Sequence, residues 1–265
     1  MKISILLPTH RYGGCDMFFA GIEHQKFPKE EFEIIWCDKL YKERHDIIME
    51  WASDNHINID HFDPETKSNY HIHSSVLNEC LQRANGDYSI VVGDYTYFNE
   101  YWIDIHYSYN IAGYCLSSPQ MIYGLPKLSS NLEHPISTFH EPFQPNIFRI
   151  LPQFMMDPKL QLPNGSIIDH RFCYNRNESF PTEIAKKIGG WDSRYNNRVG
   201  PSNKEFYLRL IHEGNCKIAC DQRAVIQRIM SYPLPPFTEF LSEETDDCIN
   251  IERYKELCKK YNASE

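Results

Sequence analysis

The acid Asp94 stands two residues past Tyr88 to Val92, an apolar run bounded by Gly86 and Gly93. A run of this length between glycines reads as a buried central strand. A carboxylate just beyond it would lie at the carboxyl edge of a parallel sheet, where α/β folds take their ligands. His71-x-His73 has the spacing of a metal-ligating strand pair, but in a polar loop beside Asn69 and Tyr70, where such a pair is mostly incidental. Tyr95, Tyr97, Phe98, Tyr101 and Trp102 offer ring faces to the core, or to a sugar or base. Arg171, Arg176, Lys186, Lys187, Arg194, Arg198, Lys204 and Arg209 make the later chain locally basic, either as an anion site or as a solvated surface. No GxGxxG, P-loop or GxSxG motif is present.

The elements that must position these groups follow a repeated strand–loop–helix order. Lys2 to Leu7 reads as a first strand ended by Pro8, and Asp16 to Gln25 as a helix. Phe32 to Trp36 is a second strand running out in Cys37-Asp38, Lys39 to Ser53 a helix, Ile57 to Phe62 a third strand and Ser74 to Ala84 a helix. This order predicts a mostly parallel sheet with helices on both faces. Between residues 117 and 170 prolines are frequent and periodicity is poor, as in a loop or lid region. A short helix, capped by Thr182 or Ser179, is expected through Lys187, then a helix from Asn203 to Glu213 and short strands at Lys217 to Ala219 and Ala224 to Ile229. Ile249 to Tyr261 is a charged amphipathic helix. The expected organisation is one domain over residues 1–230, with 117–170 as an acceptor or lid region, and a C-terminal helical extension over 231–265.

Composition bounds the function. The chain has 265 residues, is 42% hydrophobic and 24% charged, and carries a formal charge of −9. That charge argues against non-specific nucleic-acid binding over the whole body. Nine cysteines without a CxxC pair favour reduced thiols and a cytoplasmic setting over a disulfide framework or a structural zinc site. MKISILLPTH reads as a strand, and no stretch is long and apolar enough to span a bilayer, so any action at a membrane would be peripheral.

Four stretches in this order resemble the family 2 glycosyltransferases of the GT-A fold: KISILLPTHRYGG, IIWCD, LNECLQRANGDYSIVVGDYTYFNEYWI, and NESFPTEIAKKIGGWDSRYNNRVGPSNKEFYLRLIHEG. The resemblance covers roughly residues 1 to 230. It implies a nucleotide-sugar donor site at the carboxyl edge of the sheet. Pro8 and Thr9 would meet base or ribose, Asp38 the imide N–H of uracil, and Arg11 a phosphate, with Asn78, Asp94 and Tyr95 completing the donor side. Read without the resemblance, Asp38 caps a turn or helix.

Three positions depart from the family pattern. Its DxD metal motif falls on Gly93-Asp94-Tyr95, which leaves Asp94 as the one carboxylate for Mg2+ or Mn2+ bound together with diphosphate. Its Glu-Asp pair falls on Ser202-Asn203, and Asn cannot take the acceptor's proton. Its late His falls on Gln227. Asp192 and Glu205 are the nearest carboxylates for the base, or else a turn residue and a structural helix residue. Arg194, Arg198 and Lys204 are the candidates for neutralising a leaving diphosphate without metal. The expectation is an inverting transfer from a UDP-sugar to a hydroxyl of a polysaccharide, lipid-linked sugar or protein, with a hydroxylated base in nucleic acid the less usual acceptor. The competing readings are a glycosyltransferase scaffold that only binds a nucleotide, glycan or partner protein, and a nucleotidyltransferase.

Overall fold

The computed structural model describes residues 1–65, 73–124, 134–138, 143–149, 151, 153–195, 201–230 and 244–265. The first half of the chain builds the expected frame: β1 (Ile3–Thr9), α1 (Cys15–Glu23), β2 (Phe32–Asp38), α2 (Tyr41–Asn55), β3 (Asn58–Phe62), α3 (His73–Arg83) and β4 (Tyr88–Val92). Strand β5 (Thr96–Phe98), α4 (Trp102–Ile111), β6 (Tyr114–Ser117), β7 (Gln120–Gly124), β8 (Gln153–Met156) and β9 (Ser166–Ile167) come next. Then follow β10 (Asn177–Pro181), α5 (Thr182–Lys187), α6 (Ser202–His212), β11 (Lys217–Cys220), β12 (Ile226–Met230) and α7 (Glu244–Tyr261).

Eight strands form the main sheet in the order β3-β2-β1-β4-β10-β6-β11-β9, parallel except that β10 runs against both its neighbours and β9 runs against β11. Strands β1, β2 and β4 are largely apolar on both faces because helices cover both. Along β1, Ile3, Ile5 and Leu7 pack with Phe18 and Phe19 of α1, Ile48 of α2 and Trp102 of α4, while Leu6 faces Leu77 and Leu81 of α3 and Phe206 of α6. Each such fully buried side chain contributes roughly 1.5–3 kcal/mol.

The Pro-rich region is more regular than its sequence suggests. Within it β7 and β8 pair antiparallel, and β12 joins β7 and β5 in a second sheet ordered β5-β12-β7-β8. Met17, Tyr95, Tyr123, Phe148 and Ile229 cluster there, so the chain just after β4 is gripped by the second sheet. The expected helix cap also differs: Ser179 lies inside β10, and Pro181 precedes α5 without a side-chain cap. The C-terminal helix α7 docks on α6 through Leu208, Tyr254 and Cys258, and the Tyr254 hydroxyl lies 2.7 Å from His170 Nε2.

Candidate active site

The parallel register sets Thr9, the last residue of β1, beside Asp38, the last of β2. Both are buried, and one arginine ties them together. Arg44, on the first turn of α2, donates from Nη2 to Thr9 Oγ1 at 2.8 Å and to Asp38 Oδ1 at 2.6 Å, and from Nε to Asp38 Oδ2. Its Nη1 reaches the backbone carbonyls of Arg11 at 3.1 Å and Pro135 at 3.0 Å. Asp38 also accepts from the Leu40 N–H at 2.9 Å and from His61 Nε2 at 3.1 Å. Four donors fill the acceptor positions of one carboxylate. Burial works to raise the Asp38 carboxyl, but the His61 and Arg44 hydrogen bonds outweigh it and hold the group below the usual range. Asp38 therefore fixes the edge of the site from within, and the shape it maintains is the loop from Thr9 to Gly14.

Asp94 closes the other side of that loop. Arg11 grips it with a two-pronged pair, Nε to Oδ2 at 3.0 Å and Nη2 to Oδ1. Burial pushes the Asp94 carboxyl up, yet the Arg11 charge and hydrogen bonds, with His10 and Arg44 behind them, bring it below its ordinary value. Tyr95 follows in the left-handed region, with φ 57°, a conformation that costs a bulky residue on the order of 1–3 kcal/mol. Its surroundings enforce it: the hydroxyl donates to the Tyr12 carbonyl, Ile229 N–H donates to its carbonyl at 3.0 Å, and the Arg11 guanidinium lies 4.6 Å from its ring centre. Gly14, with φ 80°, passes so close that a Cβ there would lie 2.6 Å from Tyr95 Cδ2. Pro8 is half-buried at the rim and His10 is exposed.

Across from this loop, β10 runs antiparallel to β4 with Asn177 opposite Val92. Continuing the register by one step sets Arg176 opposite Gly93, where no heavy atom of the described residues lies within 4 Å of a Cβ position. The turn carrying Arg176 is held by Glu178, which accepts from the backbone N–H groups of Tyr174 at 2.9 Å, Arg176 at 2.6 Å and Asn177 at 2.9 Å. Buried Lys159 stands 3.7 Å from Glu178 and 3.5 Å from Asp157 and donates to Ser117 Oγ at 2.8 Å. Asn203, at the expected base position, donates to the Tyr174 carbonyl at 3.0 Å and accepts from Asn175 at 2.6 Å, so it too belongs to this turn.

The remaining expected site residues gather in a separate groove of about 460 Å³ lined by Asn78, Asp192, Arg194, Glu205 and Arg209 among others. Asn78 clamps the loop before Asp192, donating to the Trp191 carbonyl at 2.7 Å and accepting from its N–H at 2.8 Å. Arg194 forks onto Asp192 through Nε and Nη2, at 2.9 Å and 2.6 Å to Oδ2. Burial nudges the Asp192 carboxyl up, but Arg194 brings it net below the usual range. Glu205 pairs with Arg209 one turn along α6, and burial keeps its carboxyl above the usual range despite that pair. The structure thus joins Asp192, Glu205, Arg194 and Asn78 to one another, and Thr9, Arg11, Asp38 and Asp94 to one another. Lys204 is half-buried on α6, and Arg198 and His71 lie outside the described residues.

The fold implies a divalent cation, and the residues present do not fit one. Both oxygens of Asp94 are engaged by Arg11, the neighbouring position is Gly93, and among the described residues no three His, Cys, Asp or Glu side chains converge as a cation site. Thr9, Arg11, Asp38 and Asp94 come together as expected, and they are held by residues to which the sequence assigned no individual role. Arg44 and His61 give no motif, and Arg176 and Glu178 sit in a polar stretch without strand periodicity. The one available signal was that Arg176 adds a cation where the acid motif is depleted.

Compared with known proteins, the chain shares the GT-A fold over most of its length. TarS residues 1–349 from S. aureus, in complex with UDP-GlcNAc, superposes with a TM-score of 0.61 at 14% identity, over 88% of this chain and 60% of that one. The mannosyltransferase PcManGT from Pyrobaculum calidifontis, in complex with GDP-Man and Mn2+, gives a TM-score of 0.56 at 12% identity, over 94% of this chain and 62% of that one. This chain therefore spans about 60% of each of those two relatives. No family model matches the sequence, and no curated protein matches it either. Among the described residues no helix is long and apolar enough to cross a membrane.

Proposed function

We propose that the chain is a glycosyltransferase that moves a sugar from a UDP-sugar to an acceptor hydroxyl with inversion. The observation that carries this reading is the loop from Thr9 to Gly14, fixed between Asp38 and Asp94 at the carboxyl edge of β1, β2 and β4. The same fold holds UDP-GlcNAc in TarS and GDP-Man in PcManGT. Backbone groups around Pro8 and Thr9 take the base and ribose, and Asp38 shapes that pocket through Arg44. The acceptor oxygen attacks the anomeric carbon, a new C–O bond forms, and the bond to the diphosphate oxygen breaks with its electrons leaving on diphosphate. The acceptor proton passes to a carboxylate. Of the two carboxylates in the separate groove, Glu205 is the one that burial raises, and it serves as base for an acceptor that spans from that groove to the donor loop with Arg209 released. A polysaccharide, a lipid-linked sugar or a protein supplies the hydroxyl.

A second reading, a binding module without turnover, is favoured by one observation: Asn203 fills the base position and both nearby carboxylates are forked by arginine. Calorimetric titration with UDP, GDP and CDP, followed by hydrolysis and transfer assays on UDP- and GDP-sugars, separates the two. Nucleotide binding with sugar release supports the enzyme. Nucleotide binding with no turnover on any donor or acceptor sinks it in favour of the module, and absence of nucleotide binding removes the donor site altogether.

A further inference from the structure

We propose that Arg176, standing beside the Arg11–Asp94 pair, receives the donor diphosphate and neutralises it as it leaves, so that this site works without a divalent cation. This rests on the donor-site reading above. The geometry has three parts. At Gly93, beside Asp94, nothing among the described residues lies within 4 Å of where a Cβ would stand. The antiparallel register, continued one step past its last pair of Asn177 with Val92, sets Arg176 across from that space. The Arg176 backbone N–H is engaged by Glu178, yet among the described residues its half-buried guanidinium has no hydrogen-bonded anion.

Arg11 and Arg176 stand at the opening with Asp94, and Glu178, paired with Lys159, lies behind the Arg176 turn. A divalent cation would be repelled there, and a diphosphate would be attracted. Burial and the Arg11 charge both pull Arg176 below the usual arginine range, which Asp94 and Glu178 only partly offset. Such a group gains on meeting an anion. Guanidinium N–H groups match phosphate oxygens in a fork and stay charged at any working pH. When the bond from the sugar carbon to diphosphate breaks, the electron pair moves onto the departing oxygen. Arg176 then donates hydrogen bonds to it, with no proton transferred. Glu178 and Lys159 keep the Arg176 turn in place before the donor arrives, the condition under which such stabilisation is most effective.

The test is calorimetric titration of the full chain with UDP and with inorganic pyrophosphate, in EDTA and again in MnCl2, for wild type, Arg176→Gln and Arg176→Lys. The expected result is binding in EDTA that Mn2+ does not strengthen, weakened by roughly 10–100-fold in Arg176→Gln for both probes, from the loss of charge-assisted hydrogen bonds. UMP binding should change much less, and Arg176→Lys should retain an intermediate affinity. Because the guanidinium has no described partner, thermal unfolding of both variants should match wild type, which separates lost binding from lost fold. Mn2+-dependent UDP binding that is equal in wild type and Arg176→Gln would overturn the inference and leave the donor site standing. No binding of UDP under either condition would overturn both.

Discussion

Gly93→Asp is the substitution that most directly probes the charge arrangement. It inserts a carboxylate into the open space between Asp94 and the facing Arg176. Among the described residues, no heavy atom beyond its chain neighbours lies within 4 Å of the new Cβ, and Gly93 is absent from the positive-φ glycines, so the backbone accepts the side chain without strain. Directly opposed side chains in an antiparallel pair stand roughly 5 Å apart at Cβ. Two unit charges at about that distance interact by about 3 kcal/mol at an effective dielectric near 20. Attraction to Arg176 and repulsion from Asp94 are thus of similar size and opposite sign, and Asp94 is already compensated by Arg11. The net effect on stability should lie within about 1 kcal/mol, a Tm change of roughly 2–4 °C for a chain of this size. Binding should change far more. The new carboxylate occupies Arg176, so UDP affinity in EDTA should fall by roughly 10–100-fold. Two adjacent carboxylates then favour a cation held jointly with diphosphate, so Mn2+ should restore affinity to the variant while leaving wild type unchanged. Combining Gly93→Asp with Arg176→Gln should leave metal-free binding low and make the Mn2+ response larger. Thermal unfolding and paired titrations with and without Mn2+ read each of these. A Tm loss above about 10 °C would refute the open-space geometry. Unchanged metal-free affinity in the variant would refute the facing of Gly93 and Arg176.

Other parts of the structure make separate predictions. Lys159→Met leaves Asp157 and Glu178 buried without their cation and should cost about 3–5 kcal/mol, read as a lower urea midpoint; a loss below about 1 kcal/mol would show that the trio is not a buried ion network. His106 is buried against Ser179 and Asn177, and burial pulls its imidazole down to about 3. The unfolded chain therefore binds the extra proton first as pH falls, so the stability contributed by the neutral ring is full above about pH 6.5 and is lost progressively down to about pH 3. At pH 4.5 the loss should be about 2–3 kcal/mol, and His106→Gln should flatten the urea midpoint between pH 6.5 and 4.5; an unchanged slope would contradict the assignment. Gly14→Ala drives a methyl into Tyr95 at a φ of 80° and should destabilise by about 2–4 kcal/mol and weaken UDP binding, whereas Gly93→Ala should be close to neutral on stability.

The frame was readable because its strands and helices have the periodicities of their environments. The apolar faces of β1, β2 and β4 and the amphipathic α3 follow from residue order alone, and the carboxyl-edge position of Asp94 follows from them. The misses have a common physical cause. Strand β10 lies in the middle of the sheet, yet its sequence is Asn-Glu-Ser-Phe-Pro. Its buried polar atoms are satisfied, Asn177 from afar by Trp102 and two backbone carbonyls, Ser179 from afar by His106 and Asn110, and Glu178 locally by three backbone N–H groups of its own turn. Hydrophobic patterning cannot mark a strand whose inward residues are polar and paired. The Arg11–Asp94 pair spans 83 positions, and β7, β8 and β12 meet only once the Pro-rich region has folded back. Asp192 and Glu205 were expected to supply the base because they are the carboxylates nearest to Ser202-Asn203, where the family's Glu-Asp pair falls. The structure puts them in their own groove because Arg194 and Arg209, two and four positions away, hold them locally.

The lack of a carboxylate at Gly93 and, among the described residues, of an anion hydrogen-bonded to the Arg176 guanidinium make sense together more readily than apart. Losing a carboxylate at Gly93 would by itself leave a weak metal site around Asp94. Here Asp94 is paired with Arg11, and the continued register sets a second arginine, Arg176, opposite Gly93. Keeping a half-buried guanidinium without an anion costs free energy. The chain also commits two buried carboxylates and a buried lysine to the turn that carries it. A site drifting toward inactivity would have no reason to hold that arrangement, since replacing Arg176 by a neutral residue would relieve the cost. A site that meets a diphosphate recovers it on binding. The discriminating quantity is therefore the stability of Arg176→Gln relative to wild type, with and without UDP. The substitution should be neutral or slightly stabilising in the free protein and should reduce the rise in Tm that saturating UDP produces. A variant that is less stable without ligand and equally protected by UDP would assign Arg176 to the fold and return the diphosphate to another set of residues.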